Sequence, residues 1–272
     1  MDRRTLRTEV LLVLGLSLGA SALWSVLQLV DLLSRPGGLG AATTYMNLPA
    51  DPTRPWLSVL YEVVGLGLAV VPAVLALFLL GALRPGHGTD AGPGARSAAG
   101  PGDEDAPIRR GARMIGFDGT RPGFDLAGGL ALAALIGLPG LALYLAATHW
   151  GFNATVAPAG EGSPWWALGL LVLAALKNGV LEEVVVVGYL VTRSRQLGLS
   201  PWMAVGLAAL LRGVYHLYQG FGAGLGNVVM GLVFGAWYLR TGRVMPLVVA
   251  HVVIDLVAFI GYSTVAPRVD WI

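Results

Sequence analysis

Residues 176–190 read LKNGVLEEVVVVGYL, and they place Glu182 and Glu183 side by side in an otherwise apolar run. An ionisable side chain at bilayer depth costs about 2.5–3.5 kcal/mol on insertion scales, so each one is a functional candidate. The second half of the chain holds seven: Lys177, Glu182, Glu183, Arg212, His216, His251 and Asp255. Arg212 and His216 are four apart, as are His251 and Asp255, and that spacing puts each pair on one helical face. Adjacent residues on a helix differ by about 100°. Glu182 and Glu183 are therefore expected not to face one cavity squarely, and not to share a proton as a dyad. The expectation is one catalytic carboxylate and one that is held by a cation. A carboxylate with two histidines suits water activation, with the glutamate as general base and the imidazoles orienting water, stabilising an oxyanion or binding a metal. The bland alternative is that these groups pair only to hold helices together.

The elements that carry these residues are membrane helices. Of 272 residues, 55% are hydrophobic and 12% charged, about half the charged fraction of a soluble domain. The mean hydropathy is +0.69. The expected fold is an all-α, polytopic transmembrane helical bundle. Apolar runs between polar breaks give seven spans, at about 9–32, 56–83, 125–148, 165–192, 201–219, 227–239 and 246–263. The sixth is short against the ~20 residues a bilayer needs. It begins earlier, takes in the Gly-rich stretch before it, or is thin and tilted. With the N-terminus in the cytoplasm, the inner segments hold 13 basic residues and the outer ones 3, with Lys177 and Arg212 inside spans. That bias predicts N-in, C-out.

Depth along the spans raises a difficulty. Glu182 lies about nine residues, ~14 Å, from the expected inner end of its helix, and Asp255 is at a similar depth. His216 is about fifteen residues from residue 201, nearer the outer face. The two meet only if the fifth span starts late, with Pro201-Trp202 at the interface.

Three arginines precede the first apolar run, and Ala20-Ser21-Ala22 is like a signal cleavage site. The run continues to Val30, so an uncleaved helix is expected. Residues 84–124 read as a flexible cytoplasmic linker, rich in Gly and Pro over 85–108, where too little apolar surface exists to offset ordering entropy. It separates a two-helix hairpin (1–83) from a catalytic membrane domain (125–272, core about 165–263). No cysteine is present, which excludes disulfides and thiolate chemistry. The net charge of +2 serves membrane sidedness, and no nucleic-acid partner is expected. Gly231 and Gly235 form a Gly-x-x-x-Gly suited to close packing, expected within the chain rather than between copies.

The order Glu182-Glu183, then His216, then His251-Val252-Val253-Ile254-Asp255 resembles the CPBP intramembrane protease family, also called CAAX protease and bacteriocin-processing or Abi family. The resemblance covers about 165–263. The Gly231–Gly242 stretch, GLVFGAWYLRTG, is similar to the family's segment before its last helix. Eukaryotic members trim the tripeptide from prenylated CAAX proteins. The resemblance implies an intramembrane endopeptidase in which Glu182 is the general base, His216 positions water, His251 and Asp255 contact the oxyanion or complete a polar site, and Glu183 supports. It permits a zinc ion on Glu182, His216 and His251 without requiring one. It also implies a bacterial plasma membrane location, with the lipid bilayer and a peptide or membrane-protein substrate as partners.

Three positions depart from the family's pattern. Its Glu-Glu-x-x-x-Arg has Val187 in place of arginine, its Phe-x-x-x-His has Arg212 in place of phenylalanine, and its His-x-x-x-Asn has Asp255 in place of asparagine. Arg212 is expected to supply from the next helix the cation that Val187 does not. The competing readings are an inactive family member serving as a membrane scaffold or immunity protein, and an ion-coupled transporter.

Overall fold

The computed structural model describes residues 2–45, 53–82, 106–157 and 167–265, with the side chains of the last helix followed to residue 261. The fold is all-α. Its helices are α1 (Arg3–Gly15), α2 (Leu18–Ser34), α3 (Pro55–Ala82), α4 (Pro107–Met114), α5 (Pro122–His149), α6 (Ala167–Glu182), α7 (Thr192–Gln196), α8 (Pro201–Tyr215), α9 (Phe221–Thr241) and α10 (Met245–Val265). Residues Glu183–Val191 form π-helical turns that join α6 to α7 without a break. Two three-residue strands, β1 (Thr43–Tyr45) and β2 (Thr155–Ala157), pair in parallel.

Among the described residues α3, α5 and α9 are long and apolar enough to cross a membrane, and the bent α1–α2 pair makes a fourth if it is one span. The seven expected runs all appear as helix, but several bounds differ. The first run breaks at Leu16-Ser17 into two helices bent by 52°. There Ser17 Oγ donates to the Val13 carbonyl at 2.6 Å, and Gly15 and Gly19 flank the break, the kind of small and hydroxyl residues at which helices kink. The sixth run starts at Phe221 rather than 227, because Gly220 at φ +123° ends the preceding turn and frees the Gly-rich stretch to be helical. The fourth run continues to Gln196. Of the expected flexible linker, 84–105 lie outside the described residues. Residues 106–121 form α4 and an anchored turn, and 122–124 open α5.

Glycines set the helix contacts around the site. A Cβ on Gly231 would stand 2.8 Å from the Ala209 Cα, and one on Gly235 would stand 2.4 Å from Val205 Cγ1, so α9 lies directly on α8. A Cβ on Gly179 would stand 2.7 Å from Val252 Cγ2, which sets α6 against α10. α2 packs on α8, and α3 packs on α6 and the π-helical turns. The N-terminal helices thus enclose the helices that carry the glutamates.

Each end of the bundle is fastened. At one end Arg243 donates from Nε to Asp125 Oδ1 at 2.8 Å and from Nη2 to Asp125 Oδ2 at 2.7 Å and Asp118 Oδ1 at 2.9 Å. At that end too, Arg193 donates from Nε to Glu9 Oε1 at 2.9 Å and from Nη2 to the Leu79 carbonyl at 2.7 Å. At the other end β1 pairs with β2, and Asn153 bridges to Gly220. Connections that the sequence assigns to one side therefore meet at one end.

Candidate active site

The depth difficulty dissolves because the fourth run is longer than expected. Glu182 stands fourteen positions before Gln196, and Tyr215 fourteen after Pro201, in neighbouring helices of opposite direction. The two residues meet: Tyr215 donates its hydroxyl to Glu182 Oε2 at 2.7 Å. Trp202, in the first turn of α8, is 61% exposed.

Glu183 is fully buried and forms an ion pair with the Arg212 guanidinium from α8. His251 Nδ1 lies 2.6 Å from the same Glu183 Oε1. A carboxylate only accepts, so Nδ1 carries the proton. That leaves His251 Nε2 facing Glu182 Oε2 at 4.0 Å and Asp255 Oδ1 at 3.7 Å. Arg212 Nη2 also lies 3.6 Å from Glu182 Oε2. Both glutamates therefore reach Arg212 and His251, but unequally: Glu183 is paired directly with Arg212, while Glu182 stands 3.6 Å from it, the one carboxylate held by a cation and the other left open. Arg212 and His251 are long enough to bridge the two, and Glu183 opens the π-helical segment. π-Helical turns are rare and collect at functional sites.

The two carboxylates differ in surroundings. Glu183 is sealed, with Val187 also buried beside it on the π-helical segment. Glu182 is 8% exposed, and its hydrogen bond and ion-pair contacts all fall on Oε2. Among the described residues no hydrogen bond reaches its Oε1.

His216 caps the C-terminus of α8, with its ring 4.7 Å from that of Tyr215. Its Nδ1–H donates to the Arg212 carbonyl at 3.0 Å, which leaves Nε2 as the ring's acceptor. Glu182 is within electrostatic reach of both His216 and His251. Asp255 accepts from Asn178 Nδ2 at 2.8 Å, and Lys177 donates to Asn178 Oδ1. Lys177, Asn178, Asp255, His251, Glu183, Arg212, Glu182 and Tyr215 thus form one polar chain across α6, α8 and α10.

Tyr215 and Asn178 were absent from the sequence-derived set. Asn178 had a signal, since it lies four residues before Glu182 on the same helical face. Tyr215 had none, because a tyrosine in an apolar run is ordinarily core.

Zinc fits this arrangement poorly. A guanidinium lies beside Glu182, His251 Nδ1 is committed to Glu183, and among the described residues no group of three or more His, Cys, Asp or Glu converges to hold an ion.

Residues 164–257 match the family described as type II CAAX prenyl endopeptidase Rce1-like. The segment resembles an Rce1-like domain. It takes in α6, the π-helical turns, α7, α8, α9 and most of α10, and so every residue of the polar chain. The Rce1-like match supports a protease-like function in a membrane-embedded helical protein. No curated protein and no solved structure matches the chain.

Proposed function

We propose that the protein is an intramembrane endopeptidase that hydrolyses a peptide bond with water activated by Glu182. One observation carries the reading: Glu182 Oε2 and Asp255 Oδ1 stand 4.0 and 3.7 Å from His251 Nε2. These separations exceed direct hydrogen bonding and suit an intervening water. In this reading Glu182 takes a proton from that water as its oxygen attacks the scissile carbonyl carbon. Imidazolium His251, with Nδ1–H committed to Glu183, directs Nε2–H at the developing oxyanion. The protonated Glu182 then gives its proton to the leaving amine as the C–N bond breaks, yielding a carboxylic acid and an amine. Oε2, the oxygen across that water from His251 Nε2, serves as the base, and the Tyr215 hydroxyl bonded to it fixes its position. Glu183 and Arg212 position His251, and His216 orients the water.

The wider assignment belongs to the same proposal. Seven spans cross a bacterial plasma membrane with the N-terminus inside: α1–α2, α3, α5, α6 through α7, α8, α9 and α10. Residues 125–272 form the catalytic membrane unit, and the substrate is a peptide or membrane protein.

The test compares wild type with Glu182→Gln in detergent micelles on a farnesylated peptide carrying three residues beyond the prenyl-cysteine. Cleavage by wild type and a loss of at least a thousandfold in the variant are expected. Equal rates for the two proteins would remove Glu182 from the chemistry. A wild type that cleaves nothing would favour a non-catalytic membrane role.

A further inference from the structure

Burial around Glu182 is one-sided. Toward the end of the bundle that carries the Arg193 and Arg243 clamps, residues 184–191 are all buried. Val205, Phe234, Val244 and Leu247 join them in one apolar cluster, each fully buried. That layer closes the site from the clamped end. Exposed arginines lie beyond it: Arg3, Arg4 and Arg7 on α1, Arg195 on α7 and Arg240 on α9.

The opposite side is polar and more open. Lys177 and Asn178 on α6, Asp255 on α10, and His216, Tyr218 and Gln219 just after α8 are half-buried. Glu62 on α3, also half-buried, lies within electrostatic reach of Lys177. Glu182 stands at the border of the two regions. It is 8% exposed, whereas Glu183, next to the apolar layer, is 0% exposed. Ionisable side chains inside a span face one another or a water-filled cavity. These polar groups, partly exposed and all on one side of Glu182, fit a water-filled vestibule. Basic residues mark the cytoplasmic end of a membrane protein, and the vestibule lies at the other end.

We propose that the active site opens to the extracytoplasmic face of the membrane, and that water and the scissile bond reach Glu182 from there. The substrate is then a membrane-anchored polypeptide cleaved in the segment next to that face. A chain end held in the cytosol would stand behind the apolar layer. The inference rests on the hydrolase reading and on the N-in arrangement proposed above, and it adds the side from which the substrate comes.

The chain has no cysteine, so single cysteines report accessibility without further changes. Lys177→Cys and Tyr218→Cys sample the vestibule from two elements. Ser200→Cys, exposed ahead of α8, samples the arginine-rich end. Each full-length variant is treated with a charged, membrane-impermeant methanethiosulfonate in sealed right-side-out and inside-out membrane vesicles, with the cysteine-free wild type as blank. In right-side-out vesicles both vestibule cysteines should react about tenfold faster than Ser200→Cys, and in inside-out vesicles the order should reverse. Either vestibule variant decides alone if the other fails to accumulate. Faster reaction of the vestibule cysteines in inside-out vesicles would overturn the proposal, and so would failure to react from either side. Faster labelling of Ser200→Cys in right-side-out vesicles would overturn it as well, because the chain would then be inverted. None of these outcomes involves cleavage, so the Glu182→Gln comparison in micelles tests the hydrolase reading separately.

Discussion

Glu183 and Arg212 are both fully buried and paired, and His251 completes the group. Removing one partner of a buried pair strands the other, at a cost of about 3–5 kcal/mol. Arg212→Ala should therefore lower folded yield and thermal stability as much as Glu183→Ala. The double substitution should cost clearly less than the two single costs added together, and full additivity in thermal melts would show that the pair is not coupled. Tyr215 makes a different prediction. Its ring is buried and its hydroxyl meets Glu182, so Tyr215→Phe keeps the packing and removes the donor. On the farnesylated peptide kcat should fall about ten- to hundredfold with KM unchanged. A rise in KM at constant kcat would assign Tyr215 to substrate binding instead.

At the scale of elements, the site depends on how closely α8 and α9 approach. Gly231 lies over Ala209, with Arg212 Cδ only 3.5 Å from where its Cβ would be. The obstructing atom nearest that Cβ is backbone, which cannot rotate away. Gly231→Ala should cost about 1–3 kcal/mol by overpacking and shift Arg212 off Glu183. Thermal unfolding checks the cost, and unchanged stability would mean that the helices can part without penalty. The π-helical turns are the second device at this scale. Four valines and a glycine, all weak helix formers, occupy residues 184–188, and the widened segment starts at Glu183.

At the scale of the whole molecule, clamps at one end join segments distant in sequence. Arg243 holds Asp118 and Asp125, and Arg193 holds Glu9. Burial works to raise the Asp118 pKa, but hydrogen bonds from Thr120 and Arg243 hold it at about 2, below its ordinary 3.8. A carboxyl depressed on folding stabilises the protein above its unfolded pKa, and the contribution is lost as pH falls through the folded one. Stability should therefore be complete above about pH 4 in this respect and decline toward pH 2. Asp118→Asn should flatten that part of the melting-temperature profile while leaving the rest. An identical profile for the variant would show that Asp118 takes no part.

The run lengths and hydropathy of the chain determined an all-α membrane bundle, because lipid admits only helices or closed barrels, whose backbone bonds are satisfied internally, and continuous apolar runs near 20 residues fit helices rather than barrel strands. The spacing of Glu182-Glu183, His216 and His251 with Asp255 pointed to the Rce1-like segment, since charge inside a span is too costly to be incidental. The tertiary structure decided the rest. Helix bounds at Gln196 and Phe221 depend on π-helical turns and on one glycine at positive φ, which hydropathy does not encode. Arg193 and Arg243 look like ordinary inner-loop charges in sequence, yet both are buried in clamps, because their partners Glu9, Asp118 and Asp125 lie far along the chain. Tyr215 reaches Glu182 because α6 with its continuation and α8 run antiparallel over equal lengths. That relation belongs to two packed helices, and neither contains it alone.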